Sequence, residues 1–221
     1  MAIYAGVGGV VRELDSVDVG RSSVVRHAYT WKAGVGGVVR TIKDITDQID
    51  YVVAVADDIF VDTIDSDGNS TNNEGYDLET ANKYGSITVT DSYIQTKTTT
   101  AKKQIRVDYT VYVVFKDGHR ERLYEIINNS AGENSFSLSV TAYISFNDDG
   151  FYYTNCLGTT LKTDYVSGSE SKTVAVTVAT SYYGIIQGAM RDSGTCISRQ
   201  TFNSITINGK SFSIKAISEL S

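Results

Sequence analysis

Three tandem copies of a 14-residue unit fill the first 45 residues, and they limit what this chain can fold into more than any other feature. YAGVGGVVRELDSV (residues 4–17), DVGRSSVVRHAYTW (18–31) and KAGVGGVVRTIKDI (32–45) abut without a gap. Gly6, Gly20 and Gly34 coincide, as do the Val-Val-Arg triplets that end at Arg12, Arg26 and Arg40. The first and third copies share the run AGVGGVVR, so the period is a true repeat and governs the reading of everything after it.

A helix does not suit this unit. Each central glycine costs a helix about 1 kcal/mol, and the adjacent valines lose side-chain freedom there. Divided at its midpoint, the unit reads as a hairpin: a short apolar run, a Gly-Gly or Ser-Ser pair, a second run and a polar connection. Gly8-Gly9 and Gly36-Gly37 provide the positive φ of a two-residue primed turn, whereas Ser22-Ser23 provides it less well. Consecutive hairpins predict a meander of short strands. In a meander Arg12, Arg26 and Arg40 recur on every second strand, on one face, about 9–10 Å apart. Val11, Val25 and Val39 then point to the other face, and Val10, Val24 and Val38 share the arginine face. A lone meander buries one face only, so these residues are the expected assembly interface.

These units, carried by residues 6–12 and 34–40, resemble the tandem (Y)xGVxGVxR repeats of structural proteins in bacteriophages and phage-tail-like particles of Gram-positive hosts. The resemblance covers about a fifth of the chain. It departs from the pattern at Arg21-Ser22-Ser23, and at Glu13, Asp15 and Asp44, where such repeats commonly carry lysines. It implies a virion protein assembled in the host cytoplasm, in the tail, baseplate or fibre-attachment apparatus. Its implied partners are other copies of itself and other virion proteins.

The remaining sequence is written in strand-forming residues, and the expected fold is all-β, with the meander followed by an antiparallel β-sandwich or barrel. Residues 48–56 and 59–64 read as strands, with some helical spacing over 41–49. Residues 86–95 and 98–109 read as solvent-facing strands, and 108–116 with 119–127 as a hairpin turning at Asp117-Gly118. Residues 136–146 alternate strictly, with Phe136, Leu138, Val140, Ala142, Ile144 and Phe146 on one face. Asn147-Asp148-Asp149-Gly150 reads as a turn into a strand at 151–157, and a further strand is expected at 173–183. Asn208-Gly209 predicts a type I′ turn near the C-terminal end. The expected organisation is 1–45 for the repeats, 46–130 for a middle region and 131–221 for a C-terminal domain, with 46–221 as one domain the alternative.

Chemistry is sparse. A net charge of −6 disfavours nonspecific binding to nucleic acid. No stretch reaches the ~18 apolar residues of a membrane span, and the N-terminus has no signal-peptide pattern. The two cysteines, Cys156 and Cys196, are expected as free buried thiols. His27 and His119 read as surface strand residues, and no metal-ligand spacing occurs, so neither an enzyme nor a cofactor is expected. The stretch 65–77 begins like a calcium loop but lacks glycine and glutamate where that loop needs them. Paired carboxylates at Asp57-Asp58 and Asp148-Asp149 have the composition of a glycosidase site, but nothing in the sequence beside them raises a pKa. Among the 15 tyrosines, Tyr152, Tyr153, Tyr182 and Tyr183 are the candidates for stacking on a ligand or a partner. They support the alternative function, a carbohydrate-binding β-sandwich that attaches a particle to a host surface glycan. Proline is absent, where about 11 would be usual for this length.

Overall fold

The structure is a computed structural model. It describes the backbone of all residues except 1–3, 8–9, 14–17, 22–23, 28–30, 36–37, 76, 131–133, 158 and 179–181. Side chains are described from residue 44 onward, apart from 72–76, 131–133, 149–152, 158–159, 162–167 and 179–181. Each repeat forms its own hairpin: β1 (Tyr4–Val7) with β2 (Val10–Glu13), β3 (Asp18–Arg21) with β4 (Val24–His27), and β5 (Trp31–Val35) with β6 (Val38–Lys43). Val7 pairs with Val10, Arg21 with Val24 and Val35 with Val38, which is the two-residue connection expected from the repeat. The continuous meander is not observed. Among the described residues the hairpins are three separate two-stranded sheets, with no ladder from one to the next, so the arginine spacing of a meander has no basis in the pairing.

A single 3₁₀ turn, Ile45–Asp47, follows the last hairpin, where the Asp44 carboxylate accepts from the Thr46 amide at 2.9 Å. Asn208 donates to the same carboxylate at 3.0 and 3.2 Å. The remaining strands are β7 (Ile49–Ile64), β8 (Ser70–Gly75), β9 (Gly85–Val89), β10 (Tyr93–Thr98), β11 (Lys103–Phe115), β12 (Arg120–Arg122), β13 (Phe136–Cys156), β14 (Thr159–Val178), β15 (Tyr183–Ala189), β16 (Gly194–Ile207) and β17 (Lys210–Ser218). Two short helices, α1 (Leu78–Ala81) and α2 (Leu123–Asn129), complete the described elements.

β7 to β17 form one eleven-stranded sheet. Within it β7, β11, β15, β13, β16 and β17 make a closed ring, because β13 pairs with both β15 and β16 while β17 returns to β7. The ring takes strands from both sides of residues 128–134. Among the described residues every pairing is antiparallel except β17 with β7, which is parallel and sets Ile214 beside Val52. β14 extends the sheet beyond β13, and β10 with β9 extends it beyond β16.

Alternation explains the interior. Leu138, Val140, Ala142, Ile144 and Phe146 of β13 are buried as their spacing requires, and Phe136 packs half-buried at the margin. Val107, Tyr109, Val111 and Val113 of β11 face the same core as Val52, Ala54 and Ala56 of β7, Phe202 and Ile205 of β16 and Ile214 of β17. The Asn208-Gly209 turn is type I′, with φ of +49° and +82°. Cys156 and Cys196 are buried and free, and burial pushes the Cys156 thiol up to about 12.

Several local expectations yield to tertiary pairing. Residues 147–150 do not turn: β13 runs straight through them, because Asp148 is paired with Gly168 on one side and Gly194 on the other. Residues 151–157 therefore belong to the same strand. Residues 48–56 and 59–64 are likewise one strand, with Asp57 bulged between the pairs Asp58–Asp108 and Ala56–Tyr109. The stretch expected as strands 86–95 and 98–109 is divided by turns at 90–92 and 99–102. Thr96 and Thr98 of β10 are fully buried rather than solvent-facing, since β10 lies across the interior; Thr98 donates to the Gly188 carbonyl at 2.8 Å. The hairpin at Asp117-Gly118 forms, but its second strand stops at Arg122, and Leu123 and Ile126 turn inward as one face of α2. Residues 70–75 of the polar stretch are a strand against β7. Its start is a closed turn, in which the Asp65 carboxylate accepts from the amides of Asp67 at 2.9 Å and Asn69 at 2.8 Å. The expected strand 173–183 is two, β14 and β15. Among the described residues no helix is long and apolar enough to cross a membrane.

Candidate functional site

β11 alternates polar and apolar residues along its length. Ile105, Val107 and Tyr109 face the core, so Gln104, Arg106, Asp108 and Thr110 stand on the outer face of the ring. The register places Asp62, Phe60 and Asp58 of β7 opposite Gln104, Arg106 and Asp108. On the other side Gln187, Ile185 and Tyr183 of β15 face Arg106, Asp108 and Thr110. This outer surface carries two neighbouring clefts that share Ile185.

The first cleft, about 400 Å³, lies between the Gly68–Ser70 corner and the end of β13, and it contains Asp62, Gln104, Arg106, Gln187, Tyr153 and Asn155. Its polar groups are buried to an unusual degree: Asp62 is 0% exposed and Gln104 1%. Gln104 Nε2 donates to Asp62 Oδ2 at 2.7 Å. The Arg106 guanidinium lies 3.7 Å from the same oxygen, donates to Asp108 Oδ1 at 3.1 Å and stacks 3.9 Å above the Phe60 ring.

The second cleft, about 410 Å³, collects Asp57, Asp58 and Asp108 with Arg122, Tyr124 and Tyr183. Burial raises the Asp57 carboxyl above its ordinary range, with the Asp58 charge adding to the effect and a hydrogen bond from Thr110 opposing it. Burial also raises Asp108, against the pull of Arg106. The expectation that nothing beside Asp57-Asp58 raises a pKa is thus corrected: the cause is the wall of neighbouring strands, which the local sequence does not contain. Asp148, the other paired carboxylate, is no turn residue; it is buried within β13 and accepts from the Ser193 amide at 3.1 Å.

The tyrosine candidates separate. Tyr183 is 58% exposed and meets Tyr124 edge to face at 6.0 Å between ring centres. Tyr153 is half-buried at the first cleft, against Ile64 and Ala189. Tyr182 is 1% exposed and belongs to the core, so it is not a surface ligand residue. The side chain of Tyr152 lies outside the described residues, as do those of Arg12, Arg26, Arg40, Val10, Val11, Val24, Val25, Val38 and Val39, and that of His27. Their backbone places the arginines equivalently, opposite Ala5, Val19 and Ala33 in the three hairpins. His119 sits on an exposed turn between Asp117 and Glu121, stacked on Phe115. No group of three or more histidine, cysteine or acidic side chains suited to a metal occurs among the described residues.

Sequence reasoning missed Asp62, Gln104, Arg106, Asn155 and Gln187, which converge from β7, β11, β13 and β15. One local signal existed: Asp62 interrupts the apolar run IFVDTI, where a carboxylate needs a reason to be. No protein-family model matches the chain, and no curated protein and no solved structure does either.

Proposed function

We propose that the chain is a non-enzymatic structural subunit of a phage or phage-tail-like particle, in its tail, baseplate or fibre-attachment apparatus, working through interfaces with other copies of itself. The observation that supports this reading is the amount of open strand edge. β14 is a 20-residue strand paired among the described residues only with β13, and each N-terminal hairpin has two outer strand edges without a ladder there. A row of unpaired amides and carbonyls is a template for another strand, and monomeric proteins blunt it with bulges, proline or charge. The chain has no proline at all. The register shift of β14 lies in its first half, between the pairs Gly150–Val166 and Tyr152–Thr163; in its second half the exposed positions 171, 173, 175 and 177 are Ser, Thr, Ala and Thr, and Lys172 is tied to Glu170 at 2.7 Å. Such an edge fits the edge of a second copy of the chain.

The repeated arginines and valines of the hairpins extend the same reading to residues 1–45, and the particle would be assembled in the host cytoplasm. Electron microscopy of the purified chain tests it, with rings, tubes or other closed assemblies as the expected result. Replacing Arg12, Arg26 and Arg40 together by Ser should reduce assembly while leaving the melting temperature of the sheet unchanged. A strictly monomeric protein at high concentration, or a cleared zone in a cell-wall zymogram, would overturn the proposal.

A further inference from the structure

We infer that the first cleft is a binding site for a neutral saccharide. The inference is independent of the assembly reading and rests on what the cleft leaves unpaired. Three oxygen atoms there have no hydrogen-bond partner: Asp62 Oδ1, Gln104 Oε1 and Asn155 Oδ1. Two of them belong to side chains at least nine-tenths buried. All three are acceptors. A buried acceptor left unpaired costs about 1–3 kcal/mol, so a cleft built from three of them is complementary to a ligand that brings donors.

The register fixes their spacing. Asp62 is opposite Gln104, Arg106 is opposite Gln187, and Gln187 is opposite Asn155, so the polar row crosses β7, β11, β15 and β13. Three inter-strand gaps of about 4.8 Å make a row of about 14 Å across the strands, stepped by two residues between Gln104 and Arg106, the length of two to three sugar rings. Tyr153, two residues before Asn155 on the same face of β13, sets an aromatic ring at the end of the row. Of the four tyrosines singled out in the sequence, it alone lines this cleft among those whose side chains are described.

Charge selects among ligands that donate. An anion brings acceptors to the three unpaired oxygens, one of them on the Asp62 carboxylate, and the Arg106 cation is already engaged by Asp62 and Asp108, so an anion is disfavoured. An apolar ligand leaves the three oxygens unpaired. A metal ion or an ammonium group meets Arg106, whose guanidinium stands 3.7 Å from Asp62 and already balances that carboxylate. Sugar hydroxyls remain: a vicinal pair can donate to Asp62 and Gln104 on adjacent strands, a hydroxyl farther along the sugar can donate to Asn155, and none carries a charge that Arg106 would repel.

The test is heteronuclear NMR of the full chain titrated separately with glucose, galactose, mannose and N-acetylglucosamine, and with calcium chloride and ethylammonium as cation controls. The expected result is saturable shifts, with at least one sugar, at the amides of Asn69, Gln104, Asn155 and Gln187. Asn155→Ala should weaken that binding by about tenfold with no change in melting temperature, and Gln104→Ala should do the same if it stays folded. Absence of shifts with every sugar overturns the inference. So does binding unaffected by Asn155→Ala in the folded variant, or a response to the cation controls alone.

Discussion

The three N-terminal hairpins and the eleven-stranded sheet are both made of antiparallel strands, yet they are specified in opposite ways. In the hairpins every ladder closes around a two-residue turn, as from Tyr4 to Glu13, and only Trp31, paired with Lys43, reaches back across a repeat boundary. In the sheet the ladders that matter join distant segments: β13 to β16, β7 to β11, and β17 to β7. The hairpins are written in turn chemistry and are legible residue by residue. The ring is written in the shape of a shared core, and no local stretch encodes its order.

Four measurements test that contrast. The largest effect belongs to Ile205→Ala, because Ile205 is fully buried where β16 pairs with both β13 and β17. A loss of about 3–4 kcal/mol is expected in urea unfolding monitored by tryptophan-independent far-UV signal. A lone two-stranded hairpin is marginal even in water, so independence is read without urea: the amide shifts of residues 4–43 should be unchanged in this variant, and a change in them would remove the contrast. Next comes Gly184→Ala, where an added Cβ would lie 2.2 Å from the Tyr109 hydroxyl and 2.4 Å from its ring. Tyr109 is fully enclosed against Phe202 and Gln200, so a cost of about 2–3 kcal/mol is expected in the same assay.

Asp57→Asn should stabilise the sheet modestly, and the effect should depend on pH. Burial raises the folded pKa of Asp57, so its favourable contribution is present below the ordinary value of 3.8 and is lost as pH rises through the folded pKa. The asparagine keeps an acceptor for Thr110 and has no charge to desolvate. Its melting temperature should exceed that of the parent at pH 7, and the two should converge near pH 3; a gap that widens in acid would reverse the sign. The smallest effect is in the hairpins: Ser22→Asn with Ser23→Gly should stabilise a peptide of residues 18–27 by a few tenths of a kcal/mol, read from its amide shifts. No change in the melting temperature of the whole chain should accompany it.

The same contrast explains what the sequence disclosed. The alternation of 136–146 and the Asn208-Gly209 turn were legible because each depends on neighbours in sequence, whereas the free thiols followed from the usual redox state of cysteines. Asn147-Asp148-Asp149-Gly150 has strong turn chemistry, yet β14 and β16 hold it extended on both sides. The apolar spacing of Leu123, Ile126 and Ile127 is helical, but it was hidden behind a sound hairpin signal at Asp117-Gly118. The saccharide cleft was almost invisible. Its row of side chains comes from four strands, and each of those residues taken singly is ordinary for an exposed strand position, save Asp62 in its apolar run.

The parallel pairing of β17 with β7 has a consequence for the order in which the molecule can be made. The hairpins of residues 4–43 are synthesised ahead of β7 and can form in about 1–10 μs once they emerge. β7 follows early and β8 soon pairs with its 60–64 end, but on that same edge residues 52–56 have no partner until residues 214–218 are available. Ring closure must therefore await residues far downstream of β7, and such distant pairings fold slowly. A nascent chain stalled before residue 210 would carry finished hairpins ahead of a sheet still open along β7.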